Sequence, residues 1–277
     1  MARLVGVFAA GHAPLIARDW DKLPEAPRTR LTDAYDELGR RLKTAAPDIV
    51  VEIAPDHWVN FFLDNLPSVC IGIGEEHDGP PEPFMIKAYP RETLPGHAGF
   101  GRHLLETALA RDFEPAFSHR LRLDHGFCIP LWRMGLNPPP AIVPLIVNDI
   151  EAPMPSIARC FAWGRLLAEA IRTYPEPLRV AVLASGGLSH SIGEPTMGRI
   201  DEAFDRECIR LFERGAEQPL VDFLTPGIPR AGNGADEVRN WAVAHAAAGG
   251  RGFELISYQA VPEVYVGCGF ASWNVAT

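Results

Sequence analysis

The sequence of 277 residues predicts an α/β fold, a single-domain sandwich with a central mixed sheet flanked by helices. Three observations predict it. Runs such as Ile49-Val50-Val51-Glu52-Ile53 and Val180-Ala181-Val182-Leu183 are almost continuously apolar, as strands covered on both faces are. Helical periodicities alternate with these runs along the chain. No internal repeat, low-complexity tail or linker divides residues 1–277. The proline-rich Gly79-Pro80-Pro81-Glu82-Pro83 and Asn137-Pro138-Pro139-Pro140 are closely flanked by folded-looking sequence and act as punctuation.

In chain order, strands are expected at Leu4–Phe8, Ile49–Ala54, Ser68–Gly74, Ala141–Val147, Arg179–Ser185, Glu254–Ala260 and Val264–Phe270. Helices are expected at Arg28–Ala46, Gly99–Arg111, Ser156–Tyr174, Thr196–Arg214, Pro219–Leu224 and Ala235–Ala248. In the first of these, Leu31, Ala34, Tyr35, Leu38 and Leu42 recur at helical spacing, with Asp33, Asp36 and Arg40 between them. Asp78–Pro95 reads as a long loop with aromatics, of the kind that covers a site.

Composition narrows the function classes. A hydrophobic content of 47% with 22% charged residues is ordinary for a globular protein with a full core. A net charge of −9 argues against a nucleic-acid surface, and the Arg120/Arg122 pair is interleaved with leucines, as on a solvated face. No apolar stretch is long enough for a membrane span, and the N-terminal apolar run is too short for a signal peptide. The cysteines (Cys70, Cys128, Cys160, Cys208, Cys268) are odd in number and form no C-x-x-C pair, which excludes a zinc ribbon and argues against a disulfide scaffold. The chain reads as cytoplasmic, with mostly buried thiols.

Chemistry-bearing residues follow small-residue turns at the ends of apolar runs. His12 follows Val5–Gly11, His57 follows Ile49–Asp56, His190 follows Val180–Ser189, and Glu237 follows Ala231–Asp236. Side chains at strand ends converge in one crevice of an α/β sheet, so a metal site at the strand ends is expected. Two histidines and one carboxylate form the ligand set of non-haem Fe(II) oxygenases, which keep coordination positions open. Each residue also has a bland reading. His12 and His190 could be turn histidines, and Asp236 and Glu237 could simply complement a helix dipole. Asp56 could orient His57 from behind, as metal-bound histidines require, and Asp124 could fix the tautomer of His125. Ser185 and Ser189 near His190 lack the G-x-S-x-G elbow of a serine hydrolase. His77, His97, His103, His119 and His245 read as surface residues or local caps.

Gly11-His12-Ala13-Pro14, Pro55-Asp56-His57, Leu123-Asp124-His125-Gly126, Gly187-Leu188-Ser189-His190 and Gly232-Asn233-Gly234-Ala235-Asp236-Glu237 occur in this order. Together they resemble the class III extradiol ring-cleaving dioxygenases, with the catalytic β chains of protocatechuate 4,5-dioxygenases as the nearest type. The resemblance runs from residue 4 to about 272. It implies Fe(II) on His12, His57 and Glu237, His190 as the acid–base group and His125 in the substrate pocket. It further implies a catecholic aromatic acid and O2 as substrates, with the ring opened beside the diol. Ser189, Gly187 and Asn233 are expected in the pocket wall, and Lys87, Arg91 and Arg230 are candidate cations for an anionic ring substituent. Ser191-Ile192-Gly193-Glu194-Pro195 departs from the glutamine-rich segment of many members and bears on the substrate.

A small helical α subunit and a homo-oligomer are possible partners on the same resemblance. Two rival readings share the residues. One is a non-enzymatic relative of the same fold acting in protein interaction. The other is a zinc-dependent hydrolase, for which the commonest H-E-x-x-H helix is absent.

Overall fold

The computed structural model describes residues 1–87 and 92–275. Its elements in chain order begin with β1 (Arg3–Ala10), α1 (Leu15–Arg18), α2 (Glu25–Ala45), β2 (Ile49–Ala54) and β3 (Val69–Gly72). Next come β4 (Glu76–Asp78), α3 (Pro83–Ile86), β5 (Thr93–Pro95), α4 (Ala98–Leu109), β6 (Ala116–Ser118) and α5 (His125–Arg133). They continue with β7 (Ala141–Val147), α6 (Ile157–Thr173), β8 (Arg179–Ser185), α7 (Glu202–Arg214) and α8 (Glu217–Ala231). A 3₁₀ turn at Asn233–Glu237 leads into α9 (Val238–Ala247), and β9 (Phe253–Val261) and β10 (Val266–Trp273) close the chain.

The sheet has eight strands in the order β6-β3-β7-β2-β8-β1-β10-β9. Its centre is parallel: β8 pairs with both β2 and β1, and β7 with β2. The β3–β7, β1–β10 and β10–β9 pairs are antiparallel, so the sheet is mixed, as expected. Two apolar layers cover its faces, one including residues of α4, α6, α7, α8 and α9, the other residues of α1, α2 and α5. Strand β2 shows why its sequence is a continuous run. Ile49, Val51 and Ile53 enter one layer while Val50 and Ala54 enter the other. Its in-register neighbours end together, with Ala10 opposite Ser185 and Ile53 opposite Ala184. The three following loops therefore leave the sheet at one edge.

Several elements differ from the sequence expectation. Asp78–Pro95 is no bare loop among its described residues: β4 and β5 form a two-stranded ribbon and α3 lies between them. Helix α7 starts at Glu202, where Asp201 accepts the Phe204 N–H, and not at Thr196. Helix α8 runs past Leu224 through Pro226 and Pro229, because Leu220, Leu224 and Ile228 bury one continuous stripe. His125 opens a helix whose periodicity is masked by its all-apolar burial. His77 and His245 are buried, contrary to their reading as surface residues or caps, whereas His97 does cap α4. All five cysteines are buried free thiols. No helix among the described residues is long and apolar enough to cross a membrane.

Candidate active site

His12 follows β1 by two residues, and its loop is pinned from three sides. Gly11 N–H donates to Gly269 O, Tyr35 Oη–H donates to Gly11 O, and Gly186 N–H donates to Ala10 O. His12 Nδ1 lies 2.9 Å from Ser185 Oγ, and that hydroxyl spends its one proton on Gly126 O. The hydroxyl must then accept from His12, so Nδ1 carries the proton and Nε2 offers its lone pair. His12 Nε2 faces Glu237 Oε1 at 3.2 Å.

His57 is set the same way by a different group. Asp124 Oδ2 accepts both the His57 backbone N–H (2.7 Å) and Nδ1–H (3.1 Å), which turns Nε2 toward Glu237 Oε1 at 3.9 Å. Asp56 was expected to orient this ring and does not. Its carboxylate accepts the N–H groups of Val59, Asn60 and Phe61 and so builds the turn after β2. Asp124 was expected to fix His125, yet Glu82 does so, its Oε1 accepting the His125 N–H (3.0 Å) and Nδ1–H (2.8 Å). Asp124 also caps α5 by accepting the Gly126 N–H. His190 donates Nδ1–H to Leu188 O (3.0 Å) and turns Nε2 to Glu237 Oε1 at 3.6 Å.

Glu237 ends the 3₁₀ turn just before α9. Its Oε2 accepts the Gly187 N–H at 2.5 Å, which leaves Oε1 for the imidazoles. The helix-dipole reading suits its neighbour instead, since Asp236 pairs with Arg239 on the first turn of α9. Close packing makes two glycines obligatory here. Gly186 has φ +108°, and a Cβ on it would meet Glu237 Oε2 at 2.5 Å. A Cβ on Gly234 would stand 2.0 Å from His190 Nε2.

The electrostatics couple the imidazoles to buried carboxylates. Burial raises the Glu237 carboxyl, but His12 and His190 outweigh it and hold the group well below the usual range. Burial disfavours the His57 imidazolium, yet Asp124 and Glu237 drive its pKa well above the ordinary value. His125 is lowered by burial and by the neighbouring His57. A pocket that favours a proton between imidazole nitrogens and a carboxylate also favours a metal cation, which competes for the same lone pairs. Ligand atoms of His12, His57 and His125 all lie within 4.8 Å of one another, so this buried cluster could hold a metal. Two donors at about 2.1 Å from one ion sit about 3–3.5 Å apart. The His12–Glu237 spacing falls in that range, whereas the His190–Glu237 and His57–Glu237 spacings, 3.6 and 3.9 Å, lie beyond it.

A cavity of about 400 Å³ opens onto this cluster, lined by His12, His57, His125, His190 and Glu237 among others. Gly187 and Asn233 line it, as expected, but Ser189 does not. Ser189 is fully buried behind the site, where its N–H and hydroxyl donate to Asp205. Of the candidate cations, Lys87 and Arg230 do not line the cavity, and Arg91 lies outside the described residues. Sequence reasoning missed Glu82 and Asp149, and it met Ser185 only as a hydrolase candidate. Glu82 sits in a proline-rich stretch, and nothing in its local pattern points to a histidine 43 residues later.

Residues 6–270 match the family model described as the catalytic LigB subunit of aromatic ring-opening dioxygenase. The chain therefore belongs to this family, the LigB type of extradiol ring-cleaving dioxygenases. Among curated relatives, a 2,3-dihydroxyphenylpropionate/2,3-dihydroxicinnamic acid 1,2-dioxygenase of Paraburkholderia phymatum is 29% identical, over 93% of this chain and 90% of its own. One of Pseudomonas putida is 35% identical, over 75% of this chain and 62% of its own. Gallate dioxygenase of Pseudomonas putida is 34% identical over 56% of this chain and 47% of its own. The similarity thus extends to these enzymes and is not specific to the protocatechuate type expected from the motifs. A solved structure of an uncharacterized Escherichia coli K12 protein superposes with a TM-score of 0.63 at 17% identity. It covers 97% of this chain and 99% of its own, which shows a shared fold.

Proposed function

We propose that the chain opens a catecholic ring beside the diol with O2, using Fe(II) on His12, His57 and Glu237. His190 serves as the acid–base group and His125 hydrogen-bonds the substrate oxygens. The observation that carries this reading is the aim of the imidazoles. His12, His57 and His190 each commit Nδ1–H to a fixed acceptor and turn Nε2 toward Glu237 Oε1. Held by these residues, Fe(II) would supply the Lewis-acidic, redox-active chemistry that brings a diol and O2 together.

The protein's own groups do the rest. His190 keeps Nδ1–H on Leu188 O throughout, so Nε2 is the atom that takes a diol proton and later returns it. Glu82 holds His125 in the Nδ1–H tautomer, so its Nε2 is the nitrogen left for the substrate. The apolar walls of Pro14, Leu15, Ile150, Val264 and Val266 restrict water around the ring. The named relatives act on catecholic acids, and dihydroxyphenylpropionate and gallate set the scale of the ring to be accommodated.

The test is anaerobic reconstitution with Fe(II), followed by O2 uptake with a catechol panel. His190→Ala is expected to keep its iron and lose most turnover, while Glu237→Ala loses iron. Wild-type turnover in the first variant would remove His190 from its role. Unchanged iron content in the second would remove Glu237 from the ligand set.

A further inference from the structure

We propose that the ring this enzyme opens carries a hydrogen-bond-donating substituent, an amine above all, that Asp149 receives it, and that a free carboxylate is disfavoured. This rests on the ring-opening reading above and asks only what hangs from the ring.

Asp149 lines the cavity and is 1% exposed. Its Oδ2 accepts from Asn240 Nδ2 at 2.9 Å, while its Oδ1 has no partner. Asn240 Nδ2 also donates to Ser185 O, so both its contacts are to oxygens that only accept, and the amide orientation is fixed. That leaves Asn240 Oδ1 as a second buried oxygen without a partner. Two buried oxygens, one of them on a residue of the cavity wall, lack a donor. Buried polar oxygens are ordinarily satisfied, and an unsatisfied one destabilises the protein.

The rest of the wall agrees. No lysine or arginine among the described residues lines the cavity. Glu151 stands at the exposed side, adding a second acid near Asp149. Asn233, another polar side chain of the wall, is occupied, exchanging hydrogen bonds with the Ile192 N–H and C=O. A carboxylate on the substrate beside Asp149 and Glu151 would meet two acids. An ammonium would find the acceptor that Asp149 holds open.

The experiment uses the Fe(II)-loaded enzyme and three 4-substituted catechols that differ in side-chain charge: 4-(2-aminoethyl)catechol, 4-ethylcatechol and 3-(3,4-dihydroxyphenyl)propionate. kcat/KM comes from O2 uptake, and anaerobic calorimetry gives the Kd of each. The amine is expected to exceed the propionate in kcat/KM by about tenfold or more, with Kd in the same order. In Asp149→Asn the amine-to-ethylcatechol ratio of kcat/KM should fall by about tenfold, chiefly through KM. Preference for the propionate overturns the inference while ring opening stands, as does an Asp149→Asn ratio equal to wild type. Absence of O2 uptake with every catechol, iron being bound, overturns the ring-opening reading and this inference with it.

Discussion

Replacing Asp124 by Asn separates two duties that one buried carboxylate performs. Oδ1 accepts the Gly126 N–H at 2.8 Å and Oδ2 accepts the His57 N–H and Nδ1–H. An asparagine has only one accepting oxygen. If that oxygen faces His57, the α5 cap is lost, at about 1 kcal/mol. If it faces Gly126, the amide N–H₂ confronts two N–H donors of His57 and the ring must move or change tautomer. In the first pose the charge-assisted bond to Nδ1–H becomes a neutral one, a loss of about 1 kcal/mol, and in the second it is lost outright. Groups that orient a metal-bound histidine typically change metal affinity by about tenfold to a hundredfold. The Asp124→Asn enzyme is therefore expected to bind Fe(II) about tenfold to a hundredfold more weakly, and its metal-free form to melt at a lower temperature. Anaerobic competition against a chromophoric chelator measures the first, and calorimetry of the metal-free protein the second. A lower melting temperature with unchanged iron affinity would show that Asp124 only caps the helix and would refute its role in aiming His57.

Three further outcomes are expected. Glu82→Ala frees the His125 ring and should lower kcat/KM by about tenfold to a hundredfold with iron content intact. Glu82→Gln keeps an acceptor for Nδ1–H and should recover most of the loss; equal loss in both variants would show that Glu82 merely anchors its loop. Gly234→Ala drives a methyl into the His190 ring, so turnover should collapse while iron binding persists, and normal turnover would contradict the packing. Asp205 is held at about 6 by burial, against the hydrogen bonds from Tyr258 and Ser189. Its folded pKa lies above its unfolded one, so the native state binds the extra proton between about pH 4 and 6 and loses stability as pH rises through that window. Chemical denaturation from pH 4 to 7 should show this slope, about 3 kcal/mol at most, reduced in Asp205→Asn relative to wild type. Parallel profiles would contradict it.

The legible parts of the sequence were those with a periodic or terminal signature. Ile49–Ala54, Ala141–Val147 and Arg179–Ser185 match their strands end for end, because full burial on both faces leaves no ambiguous edge. His12, His57, His190 and Glu237 stood out because each follows a small-residue turn, and the structure brings them around one carboxylate oxygen. The supporting groups were harder to read. An acid beside a histidine in sequence looks like its partner, yet Asp56 bonds its own turn while Asp124 crosses to His57 and Glu82 to His125. Such pairings depend on which loops meet across the sheet edge, and no local pattern carries that information. Helix α5 was missed because its buried residues surround it, which erases the amphipathic stripe. The short strands β4, β5 and β6 are three residues each, too brief to show an alternation.

The central claim is that this chain places both atoms of O2 into a ring that opens beside its diol. The direct measurement is turnover of a catechol by the Fe(II)-loaded enzyme under 18O2, with the product read by mass spectrometry and by its absorbance. The account predicts one O2 consumed per ring opened and both labelled atoms in the product. Product free of label, or consumption of O2 with the ring intact, would contradict it.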